Sequence, residues 1–160
     1  MTNGNQPSPL WPADNPAVTA HVALLQGIIN RLANNSTSCK TWCLTLTGAF
    51  LSLAGAAKQP AIVTFAIVPI AVFGFVDLMY LANERAYRNL YKTIVEKIRN
   101  GSYVKADAFE ARATWTCADA LACIKSWSIW PVYGALIAAY IVVEATGWVN
   151  LLAVTPVPKP

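Results

Sequence analysis

The sequence predicts an all-α membrane protein with about three transmembrane helices and cytoplasmic helical extensions, assembled as a homo-oligomer. Hydrophobic residues make up 56% of the 160 residues and charged residues only 12%, against roughly 45–50% and about 25% in soluble globular proteins. Three stretches carry no charge at all, residues 41–57, 59–76 and 126–143. A soluble domain needs about 25–35% charged side chains on its surface. The composition therefore excludes a soluble two-domain enzyme and a disordered protein.

The chain is expected to begin with a disordered, proline-rich leader over residues 1–16, which has neither the basic start nor the apolar run of a signal peptide. Asn15 and Pro16 then suit the cap and first turn of a helix. Apolar residues recur at spacings of three and four across residues 18–32, which predicts a cytoplasmic amphipathic helix over residues 17–40. Its apolar seam requires another helix, from the same chain or a second copy. The polar run 34–38 is expected to form a joint before the first span.

A transmembrane hairpin is predicted over residues 41–82. A bilayer core about 30 Å thick needs around 20 apolar residues, with a range of about 17–25, so the first span is short and the second is of full length. Pro69 lies in the middle of the second span and should kink it, because proline removes one helical hydrogen bond. Asp77 lies near the inner end, with Lys40 and Arg85 as expected partners. These groups form either a structural ion pair that locks the hairpin or the polar layer of a gate.

A cytoplasmic helical region is predicted over residues 83–125. The second span continues as a helix that stops at Asn100 and Gly101, and another amphipathic helix is expected over residues 103–125. Four basic residues share one side of the first helix, beside a strip of tyrosines: Arg85, Arg88, Lys92 and Arg99, with Tyr80, Tyr87 and Tyr91. One interpretation is a solvated basic face near anionic lipid headgroups. The other is an anion site, where guanidinium groups take phosphates and tyrosine rings stack on bases.

The third span is predicted over residues 126–150, followed by a short extended tail, residues 151–160. Its helix should start near Trp130 and Pro131, because proline suits the first turn, and reach about Trp148, with Glu144 in its outer turn. Ten of the twelve basic residues then share one side of the membrane: Arg31, Lys40, Arg85, Arg88, Lys92, Lys97, Arg99, Lys105, Arg112 and Lys125. The positive-inside rule places that side, with the N-terminus, in the cytoplasm.

The residue inventory does not favour catalysis, and no cofactor or metal is expected. His21 is the single histidine, which excludes a cluster of several histidines within one chain, and it is expected to be a hydrogen-bonded packing residue. The sequence has no recognisable acid/base carboxylate pair and no glycine-rich phosphate loop. Four cysteines lack the spacing of a zinc site and are expected to be free, reduced thiols: Cys39, Cys43, Cys117 and Cys123.

The first span carries small and hydroxyl residues at regular spacing. Thr41, Gly48 and Gly55 repeat every seven residues, with Thr45 and Ser52 on a neighbouring strip. Such residues allow close helix approach between copies, or line a narrow aqueous path. Bulky aromatic residues lie at the inner ends of the spans, where a membrane interface would hold them. The pore or gate candidates are Trp42, Thr45, Ser52, Asp77, Trp127, Trp130 and Tyr133.

Three strings, taken together, resemble a family of small bacterial membrane proteins: HVALLQGIINRLANNSTSCKTWCLTLTGAFLSLA, FVDLMYLANERAYRNLYKTIVEKIRNG and SWSIWPVY. The residues that carry the likeness are His21, Gln26, Arg31, Asn35, Ser36, Lys40, Trp42, Asp77, Tyr80, Glu84, Arg85, Arg88 and Tyr91, within residues 17–134. The chain resembles membrane effectors of antiphage defence systems, in particular the Hailong-type channel effectors. The resemblance implies a tetrameric channel in the bacterial inner membrane. It also implies that an oligodeoxyadenylate signal from a partner nucleotidyltransferase holds the channel shut until infection releases it.

The leading hypothesis is an oligomeric ion channel, gated by a nucleotide or oligonucleotide signal, that depolarises the membrane and arrests growth. Three short spans cannot enclose a pore alone, so several copies must share one axis. The candidates for contacting the anionic signal are Arg31, Lys40, Arg85, Arg88, Lys92 and Tyr91. One alternative is a membrane anchor or scaffold that recruits a soluble partner through its cytoplasmic helices. Another is a small multidrug-type transporter, although the spans have no acidic residue near mid-depth.

Overall fold

The computed structural model describes residues 10–12 and 14–147, and within them the fold is all-helical apart from an isolated bridge between Leu10 and Val104. The five α-helices are α1 (Pro16–Ala57), α2 (Ala61–Thr64), α3 (Ile67–Arg99), α4 (Cys117–Ile124) and α5 (Trp130–Thr146). The predictions for residues 1–9 and 148–160, including the tail and Trp148, lie outside the described residues. In the predicted leader, the Trp11 N–H donates to Tyr103 O at 3.0 Å. The disorder predicted for residues 1–16 stays a prediction.

Helix α1 begins as predicted, with Asn15 Oδ1 accepting from the Ala17 N–H at 2.9 Å. It then runs unbroken for 42 residues, which is about 63 Å at 1.5 Å per residue. The predicted joint at residues 34–38 is therefore wrong. The hydroxyls of Thr37 and Ser38 donate to carbonyls one turn back, at 3.1 and 3.0 Å, so they are satisfied inside the helix instead of competing with it.

The second predicted span is interrupted at Phe65 and Ala66, between α2 and α3. Pro69 lies in the first turn of α3 and has no N–H to offer to the Phe65 carbonyl four residues earlier. The Val68 N–H bonds that carbonyl instead, at 3.2 Å. The expected distortion is thus present one turn before the proline. Helix α3 continues to the predicted stop, where Asn100 caps it and Gly101 takes a φ of 63°.

The region after α3 departs most from expectation. A helix was predicted over residues 103–125, but only a short 3₁₀ turn (Lys105–Asp107) and α4 are helical there. The side chains of His21 and Tyr87 bond the carbonyls of Glu110 and Ala111, so tertiary contacts replace helical ones in that stretch. Thr116 then starts α4 with a reciprocal cap, in which the Asp119 N–H donates to Thr116 Oγ1 and the Thr116 N–H to Asp119 Oδ2.

The helices pack as an antiparallel α1–α3 hairpin, with α4 and α5 against α3 and α5 also touching α2. Three apolar clusters follow the hairpin. The first contains Val18, Leu25, Ile94 and Tyr103, the second is centred on Cys43, Ile70, Leu81, Cys123 and Tyr133, and the third joins Ala54 to Val63. Helix α5 starts at Trp130, as predicted. Among the described helices, the run Ala61–Arg99 alone is long and apolar enough to cross a membrane, and Trp130–Thr146 is a shorter apolar helix.

Candidate functional site

A buried polar layer joins α1 to α3 in the middle of the hairpin. Asp77 is 0% exposed, and its Oδ2 lies 2.8 Å from Lys40 Nζ. Ser36 Oγ donates to Asp77 Oδ1 and accepts from Lys40 Nζ at 2.7 Å. Oδ2 is buried without a hydrogen-bond partner among the described residues, so the nearby positive charge of Lys40 is what compensates it. The three side chains therefore form a closed triangle that ties the two long helices together.

The sequence predicted two of the three residues of this layer, Lys40 and Asp77. Lys40 is the partner expected for Asp77, whereas the expected pairing with Arg85 is wrong. Ser36 was not proposed as a partner, although one signal could have found it. It lies four residues before Lys40, and residues at this spacing share one helix face.

Tyr133 connects α5 to this layer. It is buried, and its hydroxyl donates to Phe73 O at 3.2 Å, one turn before Asp77 on α3. Gly74 makes room for the ring, because a Cβ on that glycine would lie 3.3 Å from Tyr133 Cδ1. Of the gate candidates, Asp77 and Tyr133 thus lie inside the helix packing.

The remaining gate candidates lie on the surface. Trp42, Trp127 and Trp130 are exposed, and Trp127 is the extreme case at 86%. Thr45 and Ser52 are exposed on the side of α1 that faces away from α3, and the Thr45 hydroxyl donates to Thr41 O at 2.9 Å. The structure of one chain therefore does not bring these five residues together with Asp77 and Tyr133.

The predicted anion-binding residues are spread along the hairpin. Lys40 pairs with Asp77. Lys92 lies fifteen residues after Asp77 on α3, about 22 Å away along the helix axis. Arg88 is largely exposed and pairs with Glu84, with Nε and a terminal nitrogen both 2.7 Å from Oε1. Arg31 and Lys92 are exposed. Lys40 is thus already paired with Asp77, and the other candidates do not enclose one small site in a single chain.

Two shallow depressions flank Tyr91 on the half of the hairpin that bears the basic residues of α3. One is lined by Lys92, Val95, Glu96 and Arg99 together with Tyr91, and the other by Gln26, Ile29, Asn30 and Tyr91. The Gln26 amide donates to the Tyr91 hydroxyl at 3.1 Å. The tyrosine therefore lies between a surface bearing Lys92 and Arg99 and a surface bearing amides.

Arg85 faces a separate cleft of about 150 Å³ between α3 and α4. Trp115 and Asp119 form part of its wall, with the buried Cys123 beside them. The Trp115 indole N–H donates to Asn83 Oδ1 at 3.1 Å, which fixes the ring. The predicted basic stripe is thereby divided, since Arg85 points between elements while Arg88 and Lys92 point outward.

A second buried polar cluster joins the start of α1 to the loop after α3. His21 is 0% exposed, as its prediction as a packing residue requires. Its Nε2 lies 3.0 Å from Glu110 O, a group that can only accept, so Nε2 donates there, and Nδ1 pairs with the Tyr103 hydroxyl at 2.8 Å. Burial, with a smaller contribution from the Asp107 charge, raises the pKa of Tyr103. Tyr103 therefore stays a donor at neutral pH.

Asp107 fastens the same loop. Its Oδ1 lies 2.6 Å from Lys97 Nζ, and its Oδ2 accepts from the Val104 N–H at 3.0 Å. Burial raises the pKa of this carboxyl, but the bonds from Lys97 and Val104 outweigh burial and hold the pKa below its ordinary value. No motif or spacing in the sequence pointed to Tyr103 or Asp107, because their partners are set by the loop fold.

Within the described residues, no group of three or more histidine, cysteine or acidic side chains is arranged to hold a metal ion. The four cysteines are free thiols, with Cys39, Cys43 and Cys123 buried and Cys117 exposed. No family model, curated protein or solved structure matches the chain. The likeness to antiphage effectors therefore remains a resemblance, and what it implies remains a prediction.

Proposed function

We propose that the chain is an inner-membrane protein that crosses the bilayer three times, and that several copies form an ion channel. The large apolar side chains exposed on α1, α3 and α5 support a membrane location: Leu44, Leu46, Leu53, Val68, Val72, Phe75, Ile137, Ile141 and Val142. An apolar surface this extensive is unusual on a soluble monomer. In a bilayer it faces lipid, while helices satisfy their own backbone polar groups.

The observation that carries the channel proposal is the face of α1 that points away from α3. Thr41, Thr45, Gly48 and Ser52 lie there at spacings of four, three and four, and all are exposed. Leu44 and Leu53 flank this strip and are exposed too. Hydroxyl and small residues inside an apolar band face either water or another helix. Copies arranged around one axis would turn the strip inward, where it lines an aqueous path.

Control of the channel is proposed to act at the inner end of the spans. The Ser36–Lys40–Asp77 layer lies there, and α3 leads from it to the basic surface around Tyr91. The resemblance supplies the signal, a nucleotide or oligonucleotide made by a partner nucleotidyltransferase. Arg31, Arg85, Arg88, Lys92 and Tyr91 remain the proposed contacts. Opening would depolarise the membrane and arrest growth.

The test is ion flux through the purified chain in potassium-loaded liposomes, followed with a potential-sensitive dye. Without the signal, the wild-type chain should dissipate the potential. Ser52→Phe should strongly reduce the rate, because the ring would fill the proposed path. The matched control is Leu53→Phe on the next residue, whose side chain points to lipid, and its rate should stay near that of the wild type.

Equal loss of flux in both variants would contradict the assignment of the α1 strip to the path. An unchanged potential with the wild-type chain would contradict the channel. If a soluble protein then co-purifies with the chain, the membrane-anchor alternative gains support.

A further inference from the structure

Helix α4 has one buried side and one exposed apolar stripe. Ala120 and Cys123 pack against α3 and are buried. Cys117, Leu121 and Ile124 follow one another at spacings of four and three, so they share another side of the helix. Leu121 is 63% exposed and Ile124 49% exposed. A helix face exposed to water normally carries polar side chains, so this apolar stripe is unexpected for a cytoplasmic helix.

The two flanks of α4 differ in chemistry. On the flank of Ile124, the helix borders an apolar groove that includes Gly74 and Leu78 of α3 and Ile137 of α5. On the opposite flank it borders the Arg85 cleft, which Asn89 and Asp119 also line. The surroundings therefore change from apolar to polar across one helix diameter, about 10–12 Å with side chains. The headgroup region of a bilayer has a gradient of this kind.

We propose that α4 and the residues up to Trp130 lie in the plane of the inner-leaflet headgroups, with Leu121 and Ile124 directed toward the acyl chains. This inference rests on the proposed membrane location and moves α4 out of the predicted cytoplasmic region. Trp127 and Trp130 continue the exposed surface from α4 into α5. Amphipathic rings of this type settle at membrane interfaces, and short amphipathic helices bind there through their apolar stripe.

Lipid is the occupant because the stripe is continuous with surfaces that already face the bilayer. The apolar groove beside Ile124 joins the exposed apolar residues of α3 to those of α5. Lys125, exposed at the end of α4, offers an ammonium to anionic headgroups. A soluble protein partner would not contact the surfaces of α3 and α5 that are proposed to face lipid. The bilayer boundary is then placed on α3 between Leu78 and Arg85, just beyond Asp77.

The experiment uses single thiols labelled with bimane in reconstituted vesicles. Cys117→Ser removes the exposed native thiol, and this variant alone should take up no label because Cys39, Cys43 and Cys123 are buried. In that background Leu121→Cys tests the apolar stripe. The matched control, Ala122→Cys, is also exposed but lies on the flank of the Arg85 cleft. Both substitutions change exposed positions, so the fold should be retained.

The label at position 121 should lose emission in vesicles of brominated phospholipid and keep it in iodide present on both sides. The label at position 122 should show the reverse. Iodide quenching at 121 without lipid quenching would overturn the inference, as would protection from both quenchers, which indicates a protein contact. Lipid quenching at both positions would also overturn it, since α4 would then lie inside the core. Release of the chain by alkaline carbonate would instead contradict the membrane proposal.

Discussion

At the scale of single residues, the Ser36–Lys40–Asp77 layer holds a fully buried carboxylate that needs a compensating charge. A carboxylate removed from water costs several kcal/mol, and a single paired ammonium offsets that cost only with good geometry and added hydrogen bonds. Asp77 has the Lys40 ammonium 2.8 Å from Oδ2 and a hydrogen bond from Ser36 to Oδ1. The two charged groups are not equally buried, because the Lys40 side chain keeps 19% of its surface exposed while the Asp77 side chain keeps none.

This asymmetry predicts unequal effects of breaking the pair. Lys40→Met leaves the Asp77 charge buried and unpaired and should cost about 3–5 kcal/mol of unfolding free energy. Asp77→Asn should cost less, since the Lys40 ammonium can turn toward water. The double variant should cost less than the sum, with a coupling of about 0.5–3 kcal/mol. Denaturant unfolding in detergent micelles measures all three.

Lys92→Met is the matched control, because Lys92 is exposed on α3 and surface changes usually stay within about 0.5 kcal/mol. A larger loss for Asp77→Asn than for Lys40→Met would contradict the asymmetry. Additive losses would show that the two side chains do not act as a pair.

The contact partner of a residue could be predicted where the depth of both residues along the hairpin determines the contact. The depth of Lys40 and Asp77 in the spans is readable from the uncharged stretches that flank them. Arg85 is eight residues past Asp77, about 12 Å along the helix and on another side of it, and the rotation of α3 against α1 is not readable. His21 was predicted as a bonded packing residue, but its partners lie 82 and 89 residues away.

At the scale of elements, the helix ends that depend on local chemistry were predicted and those that depend on tertiary contacts were not. Asn15, Gly101 and Pro131 mark their helix ends as expected. The wrong predictions at residues 34–38 and 103–116 have the opposite causes. In the first, α1 packs against α3 and overrides weak propensity. In the second, side chains of α1 and α3 form hydrogen bonds with backbone carbonyls of the loop, which therefore do not form helical bonds.

The docking of α5 on α3 depends on one close approach, at Gly74. Gly74→Val should force its side chain against the Tyr133 ring, whose nearest carbon would be 3.3 Å from the new Cβ. Overpacking of this kind costs about 1–3 kcal/mol, and the Tyr133 bond to Phe73 O should be lost with it. Thermal unfolding in detergent, together with trypsin cleavage at Lys125, measures the loosening of α5.

The control for this prediction is Gly27→Val on α1, where a Cβ meets nothing within 4 Å. It should leave unfolding and cleavage near those of the wild type. A Gly74→Val chain that is as stable and as resistant to trypsin would show that α5 is held by other contacts.

At the scale of the whole molecule, the α1–α3 hairpin is longer than a bilayer is thick. Residues 16–40 of α1 extend about 37 Å beyond the predicted first span, and α3 runs beside them. Together these two segments carry seven of the twelve basic residues. One end of the hairpin is therefore apolar, with Lys58 as the one charged residue within residues 41–76, and the other is a charged two-helix stalk. Positive charge concentrated on one side orients membrane proteins, which supports the proposed cytoplasmic position of the stalk.

This arrangement predicts which ends of the hairpin are accessible from each side of the membrane. In the Cys117→Ser background, Gln59→Cys at the exposed turn between α1 and α2 should react with an impermeant maleimide in right-side-out spheroplasts only. Ser102→Cys, exposed beyond α3, should react in inside-out vesicles only. Labelling of both positions from the same side would show that the hairpin does not cross the bilayer. The reverse pattern would leave the crossing intact and show that the orientation is wrong, because the basic stalk would then face outward.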